Sequence, residues 1–161
     1  MTQDNSNDNI KHRKNDHLNL VIKEKAATQS SKTNYFEYME IEHQALSEVN
    51  YNELDCTTTF LGKKIYAPLF INSITGGTPL AKIINENLAR TAEYFNIPMA
   101  VGSQRIALKS GKDKNIADSF IVCRDVAPNI PLCSNIGIAQ VIEMYNKEEM
   151  DFSPIDKIIT Q

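Results

Sequence analysis

Apolar residues in this chain gather in three short runs, with helical stripes between and after them. Leu69, Phe70 and Ile71, introduced by Pro68, form the first run; Pro98 to Val101 is the second and Pro131 to Ile136 the third. Runs this short suit strands buried on both faces of a parallel sheet. Between the first two, Leu80, Ile83, Ile84, Asn87, Leu88, Thr91 and Ala92 recur at helical spacing. Thr78 is the predicted N-cap, Pro79 fits a first helical turn, and Asn96 is the predicted stop. Ile106 to Lys114 reads as a loop rich in Lys and Gly. Ile116, Phe120, Val122, Cys123 and Val126 then mark a helix over Asn115 to Val126. Ile138 to Tyr145 predicts another helix, and Ser153-Pro154 caps a last one through Ile155, Ile158 and Ile159. Strand followed by helix, three times over, predicts an α/β fold with a parallel sheet. The last helix has no strand after it, which leaves an unpaired sheet edge and predicts an incomplete domain.

The chain ahead of this repeat is patterned differently. Residues 1–12 are polar and predict a disordered tail. Arg13 to Ala27 predicts a helix with Asp16 as its cap and Leu18, Val21 and Ile22 on one face. Thr28 to Asn34 reads as a linker, and the alternation from Tyr35 to Glu42 predicts a strand. Thr57 to Leu61 and Ile65 to Ala67, around Gly62-Lys63-Lys64, predict a hairpin that serves as a plug or rim outside the parallel sheet. The expected units are therefore the tail at 1–12, an arm, helix and hairpin at 13–67, and the repeat at 68–161.

Composition changes this picture little. The chain has 161 residues, 42% hydrophobic and 23% charged, which suits one globular domain. A net charge of −3 gives no general attraction to nucleic acid or to an anionic membrane. Cys56, Cys123 and Cys133 lie far apart and without ligand spacing, so neither a disulfide framework nor a zinc site is expected. The polar start resembles no secretory signal and no run is long enough to span a bilayer, so a cytoplasmic setting is expected. The letters contain no Walker loop, GxSxG, HExxH or GxGxxG.

In parallel α/β folds, ligands meet the carboxyl ends of the strands. Ser73, Ile74, Thr75, Ser103, Gln104, Arg105 and Asn135 fall at such ends. Gly76 and Gly77 permit close backbone approach by a ligand, although a plain strand-to-helix turn accounts for them equally well. Arg13-Lys14-x-x-His17 suits a phosphate or diphosphate through a planar fork and a point charge. A solvated basic tail explains the same letters.

FINSITGG followed by MAVGSQR resembles the type 2 isopentenyl diphosphate isomerases, which are FMN-dependent (β/α)8 barrels. RKNDHL, FEYMEIEHQAL, TTTFLGKKIYAPL, SFIVCRDVAPN and SNIG extend the likeness from Arg13 to Gln140. Ser73 and Ile74 depart from the Ala and Met usual in that family. The resemblance implies an incomplete (β/α)8 TIM-type barrel, its first three strand-helix units preceded by a basic arm, a helix and a hairpin. It implies that Ser73, Ile74, Thr75, Ser103 and Asn135 hold FMN. It implies that Arg13, Lys14, Ser103, Gln104 and Arg105 bind the substrate diphosphate, with His17 assisting. FMN, a reductant such as NADPH, and Mg2+ are the implied cofactors, and a homo-oligomer is implied for the full-length form. The implied reaction interconverts isopentenyl and dimethylallyl diphosphate through reduced flavin; no catalytic residue is assigned. The family's HLNxxQE-like strand, with its Mg2+-binding Glu, lies beyond these 161 residues, so little FMN binding and no isomerase activity are expected of the isolated chain. The competing readings are a non-catalytic half-barrel fragment or partner protein and an FMN-dependent 2-hydroxy acid oxidase-like barrel.

Overall fold

The computed structural model of the chain describes residues 2–22, 33–110 and 114–146. The predicted linker is mostly outside the described residues, and the predicted last helix behind Pro154 is wholly so.

The parallel sheet is present, and its strands are short. β3 (Met99–Ala100) pairs in parallel with β4 (Leu132–Cys133), Met99 opposite Leu132 and Ala100 opposite Cys133. Ile71 adds a single parallel bridge on the other side of Met99. The ladder runs through Ile71 N to Pro98 O at 3.0 Å, Ala100 N to Ile71 O at 2.9 Å and Val101 N to Cys133 O at 3.0 Å. The strand expected from Leu69 to Ile71 is thus reduced to one residue, and Leu69 and Phe70 are exposed. Burial on both faces needs a cover on both, and among the described residues this segment has sheet hydrogen bonds on one side only.

Helix α2 (Pro79–Phe95) starts and ends where the letters predict. Thr78 Oγ1 accepts from Ala81 N at 3.1 Å, and Asn96 takes a left-handed conformation after the last turn. The buried face differs from the predicted stripe. Ala81, Asn85, Ala89 and Ala92 are buried, whereas Leu80 and Ile83 are exposed. Small side chains let a second helix approach closely, and α4 (Lys114–Val126) does so with Ile116, Ser119, Phe120 and Cys123 buried. Met99, Val101, Ile106, Phe120 and Ile130 fill the core between this helix pair and the sheet. Helix α5 (Ile138–Asn146) follows β4 as predicted.

Other elements differ from expectation. Helix α3 (Arg105–Ser110) replaces the predicted loop, because Ile106 is an anchor buried in the core. Tyr35 to Glu42 forms one 3-10 turn, Phe36–Tyr38, with every residue exposed; alternation makes no strand without a neighbour to pair with. Helix α1 runs over Thr2–Ile22, through the stretch whose composition predicts a disordered tail. Ile10 and Leu18 are buried on this helix, and it packs against α3, which the polar letters around them conceal. Asp16, predicted as a cap, lies mid-helix and meets His12 Nδ1 at 2.7 Å.

The hairpin forms from β1 (Thr58–Phe60) and β2 (Lys63–Ile65), antiparallel, with Phe60 opposite Lys63. Its turn is Leu61-Gly62, one residue earlier than predicted, with positive φ at both as a two-residue hairpin turn requires. Tyr66 N donates to Asn96 O at 3.1 Å and Lys63 Nζ to Asn129 O at 3.1 Å. Asn96 and Asn129 precede β3 and β4, so the hairpin attaches at the amino ends of the sheet and leaves the carboxyl ends clear of it.

Candidate functional site

The carboxyl ends of the three parallel segments carry three loops, and hydrogen bonds tie them together. Gly102 N donates to Thr75 O at 3.1 Å, joining the loops after Ile71 and β3. Gln104 N donates to Asn135 O at 2.9 Å, joining the loops after β3 and β4. Asn135 Nδ2 donates to Ser73 Oγ at 2.6 Å, which closes the circuit between the outer two. Ser73, Thr75, Ser103, Gln104, Arg105 and Asn135, predicted from separate stretches of sequence, therefore stand at one mouth.

The first loop is fixed from behind. Thr75, Gly76 and Gly77 are buried, and Gly77 has a φ of +85°, which favours glycine. A methyl group at Gly76 would overlap the Phe120 ring, so glycine here serves packing against α4. Asn85 Nδ2 donates to Thr75 O at 3.1 Å and to Ser119 O at 2.8 Å. Ser119 Oγ accepts from Gly77 N at 2.6 Å and donates to Ile116 O at 2.7 Å. Sequence reading missed Asn85 and Ser119. The available signal was polar residues of low helix propensity set among apolar ones in both helices.

The second loop differs in chemistry. Gln104 is 1% exposed, yet its Oε1 has no hydrogen-bond partner, and neither does the buried Nε of Arg105. Buried polar atoms are ordinarily paired, so these two unpartnered atoms, on consecutive residues, are capable of taking a ligand's polar groups. Ile74, at 61% exposed, adds an apolar side chain next to these groups. An apolar surface flanked by a hydroxyl–amide pair and unpaired donor and acceptor atoms fits a flat heterocycle with hydrogen-bonding edges.

The arm reaches the same mouth through Lys14. Lys14 Nζ donates to Gly76 O at 2.6 Å and to Ser103 O at 3.2 Å, and lies 5.6 Å from the Phe120 ring centre. Burial, and then the charge of Arg13, push the Lys14 ammonium down to about 8. Arg13 and His17 are exposed on α1. Lys14 and Arg105 supply the positive charge closest to the mouth, a setting for an anion. Among the described residues there is no group of three His, Cys, Asp or Glu that could hold a metal ion. Among them, too, no helix is long and apolar enough to cross a membrane.

The chain is similar to the isopentenyl-diphosphate delta-isomerase of Picrophilus torridus, 43% identical over 134 residues, a match covering 83% of this chain and 36% of that protein. It is similar to the enzymes of the same name from Chlorobium limicola, 40% identical over 129 residues, and Pseudescherichia vulneris, 42% identical over 134 residues. Each of these two matches covers 80% of this chain, with 35% and 36% of the respective relatives. The chain thus spans little more than a third of the length of the curated relatives it matches. The model of the family described as FMN-dependent dehydrogenase matches residues 9–110, well over half of the 161, and the chain belongs to that family.

Proposed function

We propose that these residues form the amino-terminal part of a flavin and diphosphate site in an enzyme that interconverts isopentenyl and dimethylallyl diphosphate. The single observation that carries this reading is the gathering of Ser73, Thr75, Gln104, Arg105 and Asn135 at one mouth, with Lys14 brought to it by the arm. The names of the relatives supply the reaction. The architecture that goes with it is the opening of a (β/α)8 barrel, its first three parallel strands in sequence order.

FMN fits the residues present. In this reading Ile74 would lie against the ring, Ser73, Thr75, Ser103 and Asn135 would hold it, and the unpaired Arg105 Nε, with the Gln104 amide N–H, would donate to the substrate diphosphate. Bound and reduced, FMN supplies a group through which a proton is moved without net redox change. The task of this chain's own residues is to hold that ring and to grip the diphosphate. Arg105 offers a planar fork and Lys14 a point charge, each a charge-assisted hydrogen bond to a phosphate oxygen. Arg13 and His17 join them when the arm settles on substrate. NADPH as reductant and Mg2+ on the diphosphate belong to the same reading, and no step is derived through the metal.

A chimera tests the proposal. Residues 1–146 are joined to the remaining carboxyl-terminal part of the Picrophilus torridus relative and supplied with FMN, NADPH and Mg2+. Conversion of isopentenyl to dimethylallyl diphosphate is the expected result. A folded, flavin-containing chimera without turnover, beside an active parent enzyme, would sink the reading.

A further inference from the structure

The Thr75–Gly77 turn, which the proposed function sets against the flavin, is held by two side chains that the site itself does not contain. Asn85 is 1% exposed in the middle of α2, and Ser119 is fully buried on α4. The Asn85 amide spends one donor on Thr75 O and the other on Ser119 O. Ser119 Oγ takes Gly77 N–H and returns its own proton to Ile116 O. Cys123 Sγ–H, 3.8 Å from Asn85 O, ties the two helices again just behind. The peptide groups on both sides of Gly76 are thereby pinned from α2 and α4.

From this geometry we infer that Asn85 and Ser119 are positioning residues: they set the backbone conformation of Thr75–Gly77 and, through it, the affinity of the mouth for a flavin. The inference rests on the flavin reading for its second half only. Burial alone calls for nothing polar here. The face of α2 is otherwise alanine, and an apolar side chain at 85 would let the helices meet just as closely. An amide with two donors and a hydroxyl that both accepts and donates are what a turn with a buried carbonyl and a buried N–H requires. A carboxylate at 85 would instead set acceptors against two carbonyl oxygens.

The test uses the whole chain, with FMN as the probe. Backbone amide exchange and FMN-dependent amide shifts are followed by NMR in the native protein and in Ser119→Ala, Ser119→Thr and Asn85→Leu. In Ser119→Ala, Gly77 N loses its acceptor, and its exchange is expected to accelerate on the order of tenfold, while Ala89 and Cys123 amides keep their native rates. FMN affinity, read from the shifts at 75–77 and 103–105, is expected to fall on the order of fivefold or more. Ser119→Thr, which keeps the hydroxyl, restores both. Should Asn85→Leu fail to fold, Ser119→Ala and its rescue carry the test alone. Unchanged Gly77 exchange overturns the inference, and so does equal acceleration throughout α2 and α4, which is the mark of a merely structural role. Local acceleration with unchanged FMN affinity overturns its second half. If FMN causes no shifts in the native chain, its affinity is read instead from the flavin content of the chimera carrying the same substitutions, and the clamp on the turn is decided by Gly77 exchange.

Discussion

Thr75–Gly77 and Ser103–Arg105 follow neighbouring parallel segments and are joined by the hydrogen bond from Gly102 N to Thr75 O, yet they are finished differently. In the first loop Thr75 O, Gly76 O and Gly77 N each have a partner, drawn from α2, from α1 and from α4. In the second, Gln104 N is tied to Asn135 O, but Gln104 Oε1 and Arg105 Nε are buried without partners. Leaving a buried acceptor unmade costs about 1–3 kcal/mol, so the difference is not free. A loop with its backbone saturated serves as scaffold. One that keeps polar atoms unpaired is what the proposed site calls for, since a ligand could complete them.

The joint between the two loops is the most sensitive place to break this arrangement. A Cβ at Gly102 would overlap the Thr75 carbonyl, and backbone cannot swing aside as a side chain does. Gly102→Ala is expected to cost about 3 kcal/mol by overpacking. A denaturant melt reads it as a lowered midpoint with an unchanged slope. A neutral result would mean that the loops are not held against each other as described.

Within the reserve loop, Arg105 is the charged member. Arg105→Ala is expected to weaken binding of inorganic pyrophosphate roughly ten- to a hundredfold, the range for a charge-assisted hydrogen bond. FMN affinity is expected to stay within a few-fold. Isothermal titration of each ligand into the chimera separates the two. Loss of both together would move Arg105 from the anion's side of the mouth to the flavin's.

How much of this was legible depends on whether a residue's neighbours are close in sequence. Thr78, Pro79 and Asn96 were readable because capping is settled within a few residues. The convergence of Ser73, Ser103 and Asn135 was readable because parallel strands bring their ends to one side whatever the rest does. The face of α2 was read correctly at Ala92 and misread before it, because bulk was taken as the sign of burial. What decides burial is the approach of α4, which selects Ala81 and Ala89 over Leu80 and Ile83. Asn85 was passed over for Asn87 for the same reason, since its partners lie 10 and 34 residues away. The strand predicted at Tyr35 to Glu42 failed for want of an element to pair with.

Lys14 spans the two loops and gives the comparison a pH dependence of two signs. Burial depresses its pKa from an ordinary 10.5 to about 8, against the pull of two carbonyls and the Phe120 face. Between pH 8 and 10.5 the unfolded chain holds a proton that the folded chain has shed, so stability rises with pH across that window. Lys14→Met is expected to remove the rise, which thermal melts at several pH values would record. Pyrophosphate affinity is expected to move the other way and fall above pH 8, as the ammonium that faces the anion is lost. A profile flat in both measurements would place the Lys14 amine in water.

The smallest effect is the most discriminating, because its two parts have opposite signs. Gln104→Leu exchanges the buried amide for an apolar side chain of similar size and removes the unpaired Oε1. If that atom is held in reserve for a ligand, the free protein gains about 1 kcal/mol, since a desolvated acceptor without a partner is worse than none. The same change is expected to weaken ligand binding a few-fold, because the ligand loses the acceptor that only its arrival satisfies. Chemical denaturation of the chimera with and without FMN, whose ring N–H can donate to that oxygen, reads both parts on one sample. A loss of stability in the free protein would show that Gln104 already has its partners, and the contrast between the two loops would then vanish.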